Sequence, residues 1–419
     1  MRRQAIPLTA AGLPRHRGSA ARLLLPAVLL LCACSASRPN ARPASATPGN
    51  GRAPGGVSPT AVAAAVPGVF ASMLQLIPDT PETRQQTTVN DFARIRQIFT
   101  IAAPADPANP DQQQAYIAAL AQHVPTGFVP TFISGLSTYA VQTSYLAQYL
   151  GYRRVDQDAT AGIPPRLYEA LRGLFDPQTA AQQIAGCADC PPAQTATSGG
   201  VPYYTWGEDF AIHPTTRLEP PAFDQLGRGG RVAITPQVVL RALWTDGLTQ
   251  MIAAWHGGSS LFKNADFRQA ADGLESLGTY SAYFTDRTQG PDRAAEALAA
   301  SDLKPDARAA ITAAWNPPAG TPVLQPYTLI AVGVGQGDDG QPFTGIVLIH
   351  ASEQAAQQNA ALLPQRIAQT SSLAAGQPWS SLLPHVQVRV SGRALIVTLA
   401  DAKIGARFLT ANDPLLLHR

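Results

Sequence analysis

Proline occurs throughout this chain and limits the length of its regular elements. The sequence contains 37 prolines, and Pro-Pro pairs stand at 164–165, 191–192, 220–221 and 317–318. Proline removes a backbone donor and disfavours a helical conformation in the residue before it, so each pair predicts a break in secondary structure. The sequence therefore predicts short helices and strands joined by long loops.

Between these breaks, several short apolar runs are typical of β-strands. These runs cover 201–206, 231–235, 327–332, 345–349, 386–390 and 394–399. The last two are joined by the turn Ser391-Gly392, and a two-residue turn requires antiparallel strands. Helices are predicted to begin after the capping residues Asp176 and Ser352, and the second is expected to be interrupted near Pro364.

The order of these elements defines the expected fold class. A capped helix followed by two strands occurs near 176–235 and again near 352–400. Between them, 243–255 and 266–274 have the three-and-four spacing of amphipathic helices. We expect an α+β body of two lobes, each an antiparallel sheet with helices on one face. An internal duplication would explain the repeated order, and chance recurrence of a common motif is the alternative.

The N-terminus is typical of a secretory signal peptide. Five arginines and no acidic residue occur in residues 1–33, and the apolar run 23–31 is too short to span a bilayer. The run ends in Leu31-Cys32-Ala33-Cys34, which resembles the lipobox of bacterial lipoproteins. The resemblance implies cleavage before Cys34, a lipid on Cys34, and a location at the cell membrane facing outside the cytoplasm. The alternative is an ordinary signal peptide with incidental cysteines, and Cys32 at the middle position departs from the motif.

A segment without large apolar residues follows the leader. Residues 34–67 are mainly Ala, Pro, Ser, Gly, Thr and Arg, which cannot bury enough surface to offset chain entropy. We therefore expect a flexible tether over 34–67. The remaining chain is long enough for an N-terminal lobe over 68–258 and a C-terminal lobe over 259–419.

The charge balance argues against a nucleic-acid partner. The full chain has a formal net charge of +3, and loss of the five leader arginines gives 3 − 5 = −2. The mature body therefore has no excess of basic residues with which to attract nucleic acid or anionic lipid. We expect membrane contact through the lipid alone, and leave the protein or small-molecule partner open.

A second resemblance concerns the body. The runs 259–268 (Ser-Ser-Leu-Phe-Lys-Asn-Ala-Asp-Phe-Arg) and 281–286 (Ser-Ala-Tyr-Phe-Thr-Asp) resemble a family of bacterial secreted and lipid-anchored proteins. That family is known only as a domain of unknown function. The resemblance implies an exported α+β protein and does not imply an activity.

Two cysteines at close spacing form the sharpest local pattern. Cys187 and Cys190 follow the expected end of a helix at Gly186, where the helix dipole disfavours a thiolate. Outside the cytoplasm such a pair is normally oxidised. We predict a structural disulfide and regard redox chemistry or zinc binding as less favoured alternatives.

Two further patterns suggest binding. Alternation places Tyr204 and Trp206 on one strand face, as candidate contacts for a ligand or as core residues. The loop 226–231 offers backbone amides and two arginines to an anion, although a tight turn before a strand is the simpler interpretation. The run 335–340 has the glycine spacing of a dinucleotide site, but no helix follows it, so we predict a hairpin loop.

The sequence contains no recognisable catalytic, cofactor-binding or metal-binding motif. Its histidines are scattered, and no serine lies in a nucleophile elbow. The favoured function is a non-enzymatic binding or envelope role. The alternatives are a solute-binding lipoprotein of a transporter and an extracytoplasmic enzyme of unrecognised class.

Overall fold

A computed structural model describes residues 68–106, 109–123, 152–186, 193–211, 230–299, 304–400 and 413–419. All of them belong to one compact unit, residues 64–419. The predicted boundary between lobes, after residue 258, falls inside this unit. The predicted signal peptide, the tether up to residue 67, and the cysteines at positions 34, 187 and 190 lie outside the described residues.

Most helices in the described part of the chain are short, as its prolines predict, although one covers 17 residues. Their bounds are α1 Val69–Leu74, α2 Pro81–Gln85, α3 Phe92–Phe99, α4 Pro110–Ala121, α5 Pro177–Gly186, α6 Thr245–Trp255, α7 Ala265–Leu277, α8 Pro291–Ala299, α9 Pro305–Trp315, α10 Glu353–Gln369 and α11 Trp379–Leu382.

Fourteen strands are described among these helices. Their bounds are β1 Thr87–Asp91, β2 Tyr152–Ile163, β3 Arg166–Phe175, β4 Gln194–Ser198, β5 Val201–Trp206, β6 Gly230–Ile234, β7 Val238–Ala242, β8 Thr279–Thr285, β9 Tyr327–Gln336, β10 Pro342–His350, β11 Ser371–Ser372, β12 Gln377–Pro378, β13 Val386–Ser391 and β14 Ala394–Leu399.

Twelve of the strands form a single sheet in the order β13-β14-β10-β9-β8-β1-β2-β3-β7-β6-β5-β4, while β11 and β12 pair separately. Every neighbouring pair runs antiparallel. The expected mixed α+β class with antiparallel pairing is therefore confirmed. The antiparallel hairpin predicted at Ser391-Gly392 is confirmed, with Val388 of β13 opposite Val397 of β14. The apolar runs 201–206 and 231–235 also pair antiparallel, as β5 and β6, with Tyr204 opposite Val232.

The sheet contains the same strand order twice. In one half β1, β2, β3, β7 and β6 are successive neighbours, and in the other β8, β9, β10, β14 and β13 are. A helix follows the second hairpin strand in each half, α5 after β3 and α10 after β10. The halves meet where β1 pairs with β8, and β5 and β4 extend the first half at its edge.

Helices cover both faces of the sheet, so the prediction of helices on one face is wrong. We call the face of Val347 the front and the face of Leu348 the back. Helix α7 packs on the front, where a Cβ on Gly273 would lie 3.0 Å from Val347. Leu363 of α10 packs on the back in the same cluster as Leu348. Strand β10 is apolar on both sides, and a strand of this kind requires cover on both faces.

Capping residues set the helix starts as expected. The Asp176 carboxylate accepts hydrogen bonds from the amides of Gln178 and Thr179 at 3.1 and 3.2 Å, and α5 begins beside it. Helix α10 runs continuously through Pro364, so the predicted interruption there is wrong. The proline removes one backbone hydrogen bond, while burial of Leu363 and Ile367 holds the helix on the sheet on both sides of it.

The glycine-rich run at 335–340 joins two strands, as the hairpin prediction requires. Gly335 and Phe343 are paired across the β9-β10 hairpin. The amide of Gly337 donates to the carbonyl of Gln341 at 2.8 Å, and Gly340 has a φ of 77°. The left-handed conformation favours glycine at position 340, and a Cβ on Gly335 would lie 2.4 Å from the Phe343 ring, so the hairpin accounts for these two glycines.

The two ends of the described body are held by specific contacts. On the front, Glu275 of α7 accepts from the amides of Phe70 and Ala71 at the start of α1, at 2.6 and 3.2 Å. On the back, Arg366 of α10 donates to the carbonyls of Leu415 and Pro414 at 2.5 and 2.7 Å. The C-terminal segment 413–419 is thereby docked against α10.

Candidate functional site

The aromatic residues predicted as candidate ligand contacts project from the same side of β5. Trp206 is 5% exposed, and Tyr204 is partly buried against the same cluster. That cluster contains Phe175, Ala180, Val232, Ile234 and Val239. A Cβ on Gly230 would lie 2.4 Å from the Trp206 ring, so only glycine allows the ring to pack there. The expected alternation is present, and both rings contact the core.

The loop 226–231 is a candidate anion site in the sequence, with a tight turn as the simpler interpretation. Positions 226–229 lie outside the described residues, and the arginine at its end, Arg231, contacts other parts of the protein. The Arg231 side chain is 7% exposed and forms an ion pair with Asp209 at 2.7 Å. It also donates to the hydroxyl of Thr245 at 2.9 Å and to the carbonyl of Trp206 at 3.2 Å. These contacts join the end of β5 to the start of α6, which is a structural role.

The structure brings together three polar residues that sequence analysis did not connect. Asn90 of β1, Asp158 of β2 and Ser281 of β8 stand opposite one another on three adjacent strands, with Asn90 in the middle. We call these three residues the polar row. The residues next to them on each strand pack in the front cluster: Val89, Ala159 and Ala282. Because side chains alternate along a strand, the polar row lies on the back.

The polar row is buried and its hydrogen bonding is incomplete. Asn90, Asp158 and Ser281 are 1%, 0% and 1% exposed. The amide nitrogen of Asn90 donates to Oδ1 of Asp158 at 2.9 Å. Oδ1 of Asn90, Oδ2 of Asp158 and Oγ of Ser281 have no hydrogen-bond partner among the residues that the structure describes. Each buried polar atom without a partner costs about 1–3 kcal/mol, so three in one row require an explanation.

Burial dominates the electrostatics of the row. It raises the pKa of Asp158 well above that of an ordinary aspartate, and the negative charge of Glu169 on β3 acts in the same direction. The hydrogen bond from Asn90 opposes the rise. Glu169 itself forms an ion pair with Arg241 of β7, so that guanidinium already has a carboxylate partner.

Of the two arginines on helix α3, Arg96 is paired with a different acid. Helix α3 contacts both β2 and β8. Its Arg96 donates to the hydroxyl of Tyr116 at 2.7 Å and to the carbonyl of Val155 at 2.9 Å, and forms an ion pair with Asp156. The charge of Arg96 is thus committed to a different aspartate, two residues before Asp158.

The arrangement is suited to binding. Among the described residues, no base is hydrogen-bonded to Oγ of Ser281, which therefore lacks the activation that a nucleophile in covalent catalysis needs. Three enclosed oxygens can instead accept hydrogen bonds or coordinate a cation. A group that offers donors or positive charge would satisfy all of them.

A second buried polar cluster gathers two of the histidines that looked scattered in the sequence. The rings of His350 and His418 lie 6.1 and 4.5 Å from that of Tyr327, measured between centroids. Nε2 of His350 accepts from the amide of Asn359 at 2.7 Å while Nδ1 donates to the carbonyl of Arg393 at 3.1 Å. Both bonds require a neutral ring, and burial lowers the pKa of His350. This cluster anchors the C-terminal segment: Nε2 of His418 is within 2.8 Å of the Thr288 hydroxyl, while Nδ1 of His418 has no hydrogen-bond partner among the described residues.

Sequence reasoning missed the polar row because its members are distant in the chain. Asn90 and Asp158 are 68 residues apart, and Ser281 lies on a strand from the other half. The only local signal was a polar residue at an inward position of each strand. Without the strand order, that signal cannot be distinguished from a solvent-exposed position.

The described part of the chain offers neither a cluster of metal ligands nor a membrane-spanning helix. Within the described ranges, no three or more His, Cys, Asp or Glu side chains are grouped as metal ligands. No helix in that part of the chain has the length and apolarity needed to cross a bilayer. The chain matches no known family model, no curated protein and no solved structure.

Proposed function

We propose that this protein is a lipid-anchored, extracytoplasmic binding protein without enzymatic activity, attached through Cys34. The lipobox-like Leu31-Cys32-Ala33-Cys34 supports the anchor. The composition of residues 34–67, which lacks large apolar side chains, supports a flexible tether between the lipid and the body.

The observation that carries the binding role is the polar row. Its three oxygens without partners are enclosed where the halves of the sheet meet, at the β1-β8 pair. Native proteins retain buried polar atoms of this kind where a ligand or an ordered water supplies the missing hydrogen bonds. We propose that the polar row is the binding site of a small ligand that supplies positive charge or hydrogen-bond donors.

The repeated strand order supports an internal duplication, which would have placed this binding site between two related halves. The proposed repeat units are residues 81–242 and 265–399, related about the β1-β8 pair. In this proposal the hairpin equivalent to β13-β14 is β6-β7, residues 230–242, rather than the strands at 201–206 and 231–235. The two expected lobes would then be the halves of one sheet.

The anchor is tested with a matched pair of cysteine variants. Wild type, Cys34→Ala and Cys32→Ala are expressed in a bacterial host fed labelled palmitate, and the membranes are separated. We expect label and membrane association in wild type and Cys32→Ala, and loss of both in Cys34→Ala. Label retained by Cys34→Ala, or an unlabelled wild type, would show that the anchor is assigned wrongly.

The binding role is tested by thermal unfolding in the presence of a panel of small cations, amines, amino acids and sugars. We expect at least one member to raise the unfolding midpoint of the wild type and to have no effect on Asp158→Asn. Asp272→Asn removes a carboxylate from an exposed position on α7 and is the matched control. If Asp158→Asn responds to every compound as the wild type does, the polar row is not the binding site.

A further inference from the structure

We propose that the C-terminal segment 413–419 is held by an acid-sensitive clasp, which releases it from the back of the sheet when His350 and His418 gain protons. This inference goes beyond the proposed binding role and does not depend on it. It follows from the contacts that hold the segment, the direction of the hydrogen bonds at the two histidines, and the charges already buried beside them. The clasp consists of Tyr327, His350, Asn359, Arg366 and His418.

The segment is held by hydrogen bonds to distant parts of the chain. The amide of Leu324 donates to the carbonyl of Leu417 at 3.0 Å, and the amide of Arg419 donates to the carbonyl of Leu324 at 3.2 Å. The hydroxyl of Tyr327 donates to the carbonyl of Leu416 at 2.9 Å. The segment contributes no strand to the twelve-stranded sheet, so its release would leave the pairing of those strands intact.

The hydrogen bonds around His350 admit only a neutral ring. The backbone of Gln325 fixes the orientation of the Asn359 side chain, because its amide donates to Oδ1 at 2.7 Å and its carbonyl accepts from Nδ2 at 2.9 Å. Nδ2 of Asn359 therefore presents a hydrogen to Nε2 of His350, at 2.7 Å. A proton on Nε2 would set two donors against each other, so charging His350 requires this contact to separate. Gln325 adjoins Leu324, which holds the segment.

The surroundings of His418 are equally unsuited to a charged ring. Nε2 lies 2.8 Å from the hydroxyl of Thr288, and the buried Nδ1 has no partner among the described residues. A protonated ring carries a hydrogen on both nitrogens, which would leave the Nδ1 hydrogen without an acceptor and the charge without a counter-ion. Burial lowers the pKa of His418 to about 4 and lowers that of His350 as well.

The charges nearby give no compensation. Arg366 is buried and donates to three backbone carbonyls at 2.5–2.7 Å. Burial lowers its pKa to about 10, so it stays cationic throughout the acid range. Its charge acts on Tyr327, whose own pKa burial raises and whose ring faces both histidines.

The acids on the surrounding elements are engaged elsewhere. They and their partners are Asp266 with Arg393, Glu296 with Arg287, and Asp413 with the hydroxyl of Ser372 and the amide of Leu373. The remaining cation of the segment, Arg419, donates to the carbonyl of Trp315 at 2.9 Å. Protonation of the two histidines would therefore add like charges beside Arg366.

These shifts set the direction of the pH dependence. A histidine in solvent has a pKa of about 6.5, and both rings have a lower pKa while the segment is docked. Their neutral forms stabilise docking fully above about pH 6.5, and this contribution declines as the pH falls. Between about pH 6 and 4.5, His418 alone should raise the released population about tenfold per pH unit, and His350 should act in the same direction.

The experiment measures deuterium uptake of the full chain in detergent from about pH 7 to 4.5, with labelling times scaled to the chemical exchange rate at each pH. Peptides from 413–419 are compared with peptides from the β6-β7 hairpin, residues 230–242. We expect the corrected exchange rate of 413–419 to rise about tenfold or more per pH unit below about pH 6, and that of the hairpin to change by less than about twofold.

Variants assign the effect to the two histidines. His418→Gln should reduce the rise in the segment by about tenfold per pH unit. In His350→Gln the side-chain oxygen can still accept from Asn359, and the rise should again be smaller than in wild type. The double variant should show no rise. His256→Gln replaces an exposed histidine after α6 and is the matched control, which should exchange as the wild type does.

The wild type alone can overturn the proposal, even if a variant does not fold. Constant exchange of 413–419 across the pH range would show that the histidines do not control docking. An equal rise in the segment and in the hairpin would show that acid unfolds the whole body instead of releasing the segment. A wild-type pH dependence in the folded double variant would likewise overturn the clasp.

Discussion

The docking of the C-terminal segment gives the clearest quantitative prediction, through the substitution Leu416→Ala. Leu416 is 1% exposed and packs in the back cluster. Its amide donates to the side-chain oxygen of Gln289 at 2.8 Å, and its carbonyl accepts from the hydroxyl of Tyr327 at 2.9 Å. The substitution keeps these backbone bonds and removes only apolar volume.

The expected cost follows from this burial. Replacing a fully buried leucine by alanine loses the transfer free energy of the removed methyl groups and leaves a cavity, for about 3 kcal/mol in total. Leu174 is 45% exposed, so Leu174→Ala is the matched control and should stay within about 0.5 kcal/mol of wild type. The two variants delete the same atoms from opposite environments.

Two assays measure the difference in stability between Leu416→Ala and Leu174→Ala. Urea unfolding should show a lower midpoint for Leu416→Ala with an unchanged slope. Digestion by carboxypeptidase reports opening of the C-terminal segment, and since each 1.4 kcal/mol is a factor of ten, Leu416→Ala should be digested about a hundredfold faster than Leu174→Ala. Equal digestion rates and equal midpoints in the two variants would refute the docking of the segment on the back of the sheet.

Three other predictions concern Gly230, His418 and the pair of Cys187 and Cys190. Gly230→Ala should lower the free energy of unfolding by about 1–3 kcal/mol, because its Cβ would lie 2.4 Å from the Trp206 ring; chemical denaturation measures this, and a neutral result would contradict the packing. Burial lowers the pKa of His418 to about 4, so its neutral form stabilises the fold fully above about pH 6.5 and this contribution declines as the pH falls towards 4. The loss should be about 1–2 kcal/mol after allowance for solvent screening, and His418→Gln should show a correspondingly flatter midpoint between pH 6.5 and 4. Cys187 and Cys190 are predicted to form a disulfide, so the purified protein should show no free thiol without reductant, and a reactive low-pKa thiol would contradict a purely structural role.

Elements with a strong local signal were predicted correctly. The hairpin of β13 and β14 is defined by apolar runs on either side of Ser391-Gly392, and α5 by the cap at Asp176. These features depend on neighbouring residues only, because a turn or a cap is made by atoms within a few positions of each other.

The central strands were not predicted. Strands β2 and β3 form the first half's long hairpin, yet Tyr152–Ile163 contains mostly polar and small residues. Its inward positions on the back carry Asp158 and Thr160 instead of large apolar side chains. A strand buried by its neighbours needs no alternating pattern of its own, so local periodicity gives no sign of it.

The sequence by itself determined the fold class, the antiparallel hairpins and the capped helix starts, because each follows from residues close together in the chain. It also contains the lipobox-like leader on which the proposed lipid anchor and extracytoplasmic location depend. Only the tertiary structure decided that the halves share one sheet, that helices cover both faces, and that Asn90, Asp158 and Ser281 meet in one buried row. Those results depend on which strands become neighbours, and strand order is set by the packing of distant segments against each other. The candidate site therefore became visible only when β1, β2 and β8 were placed side by side.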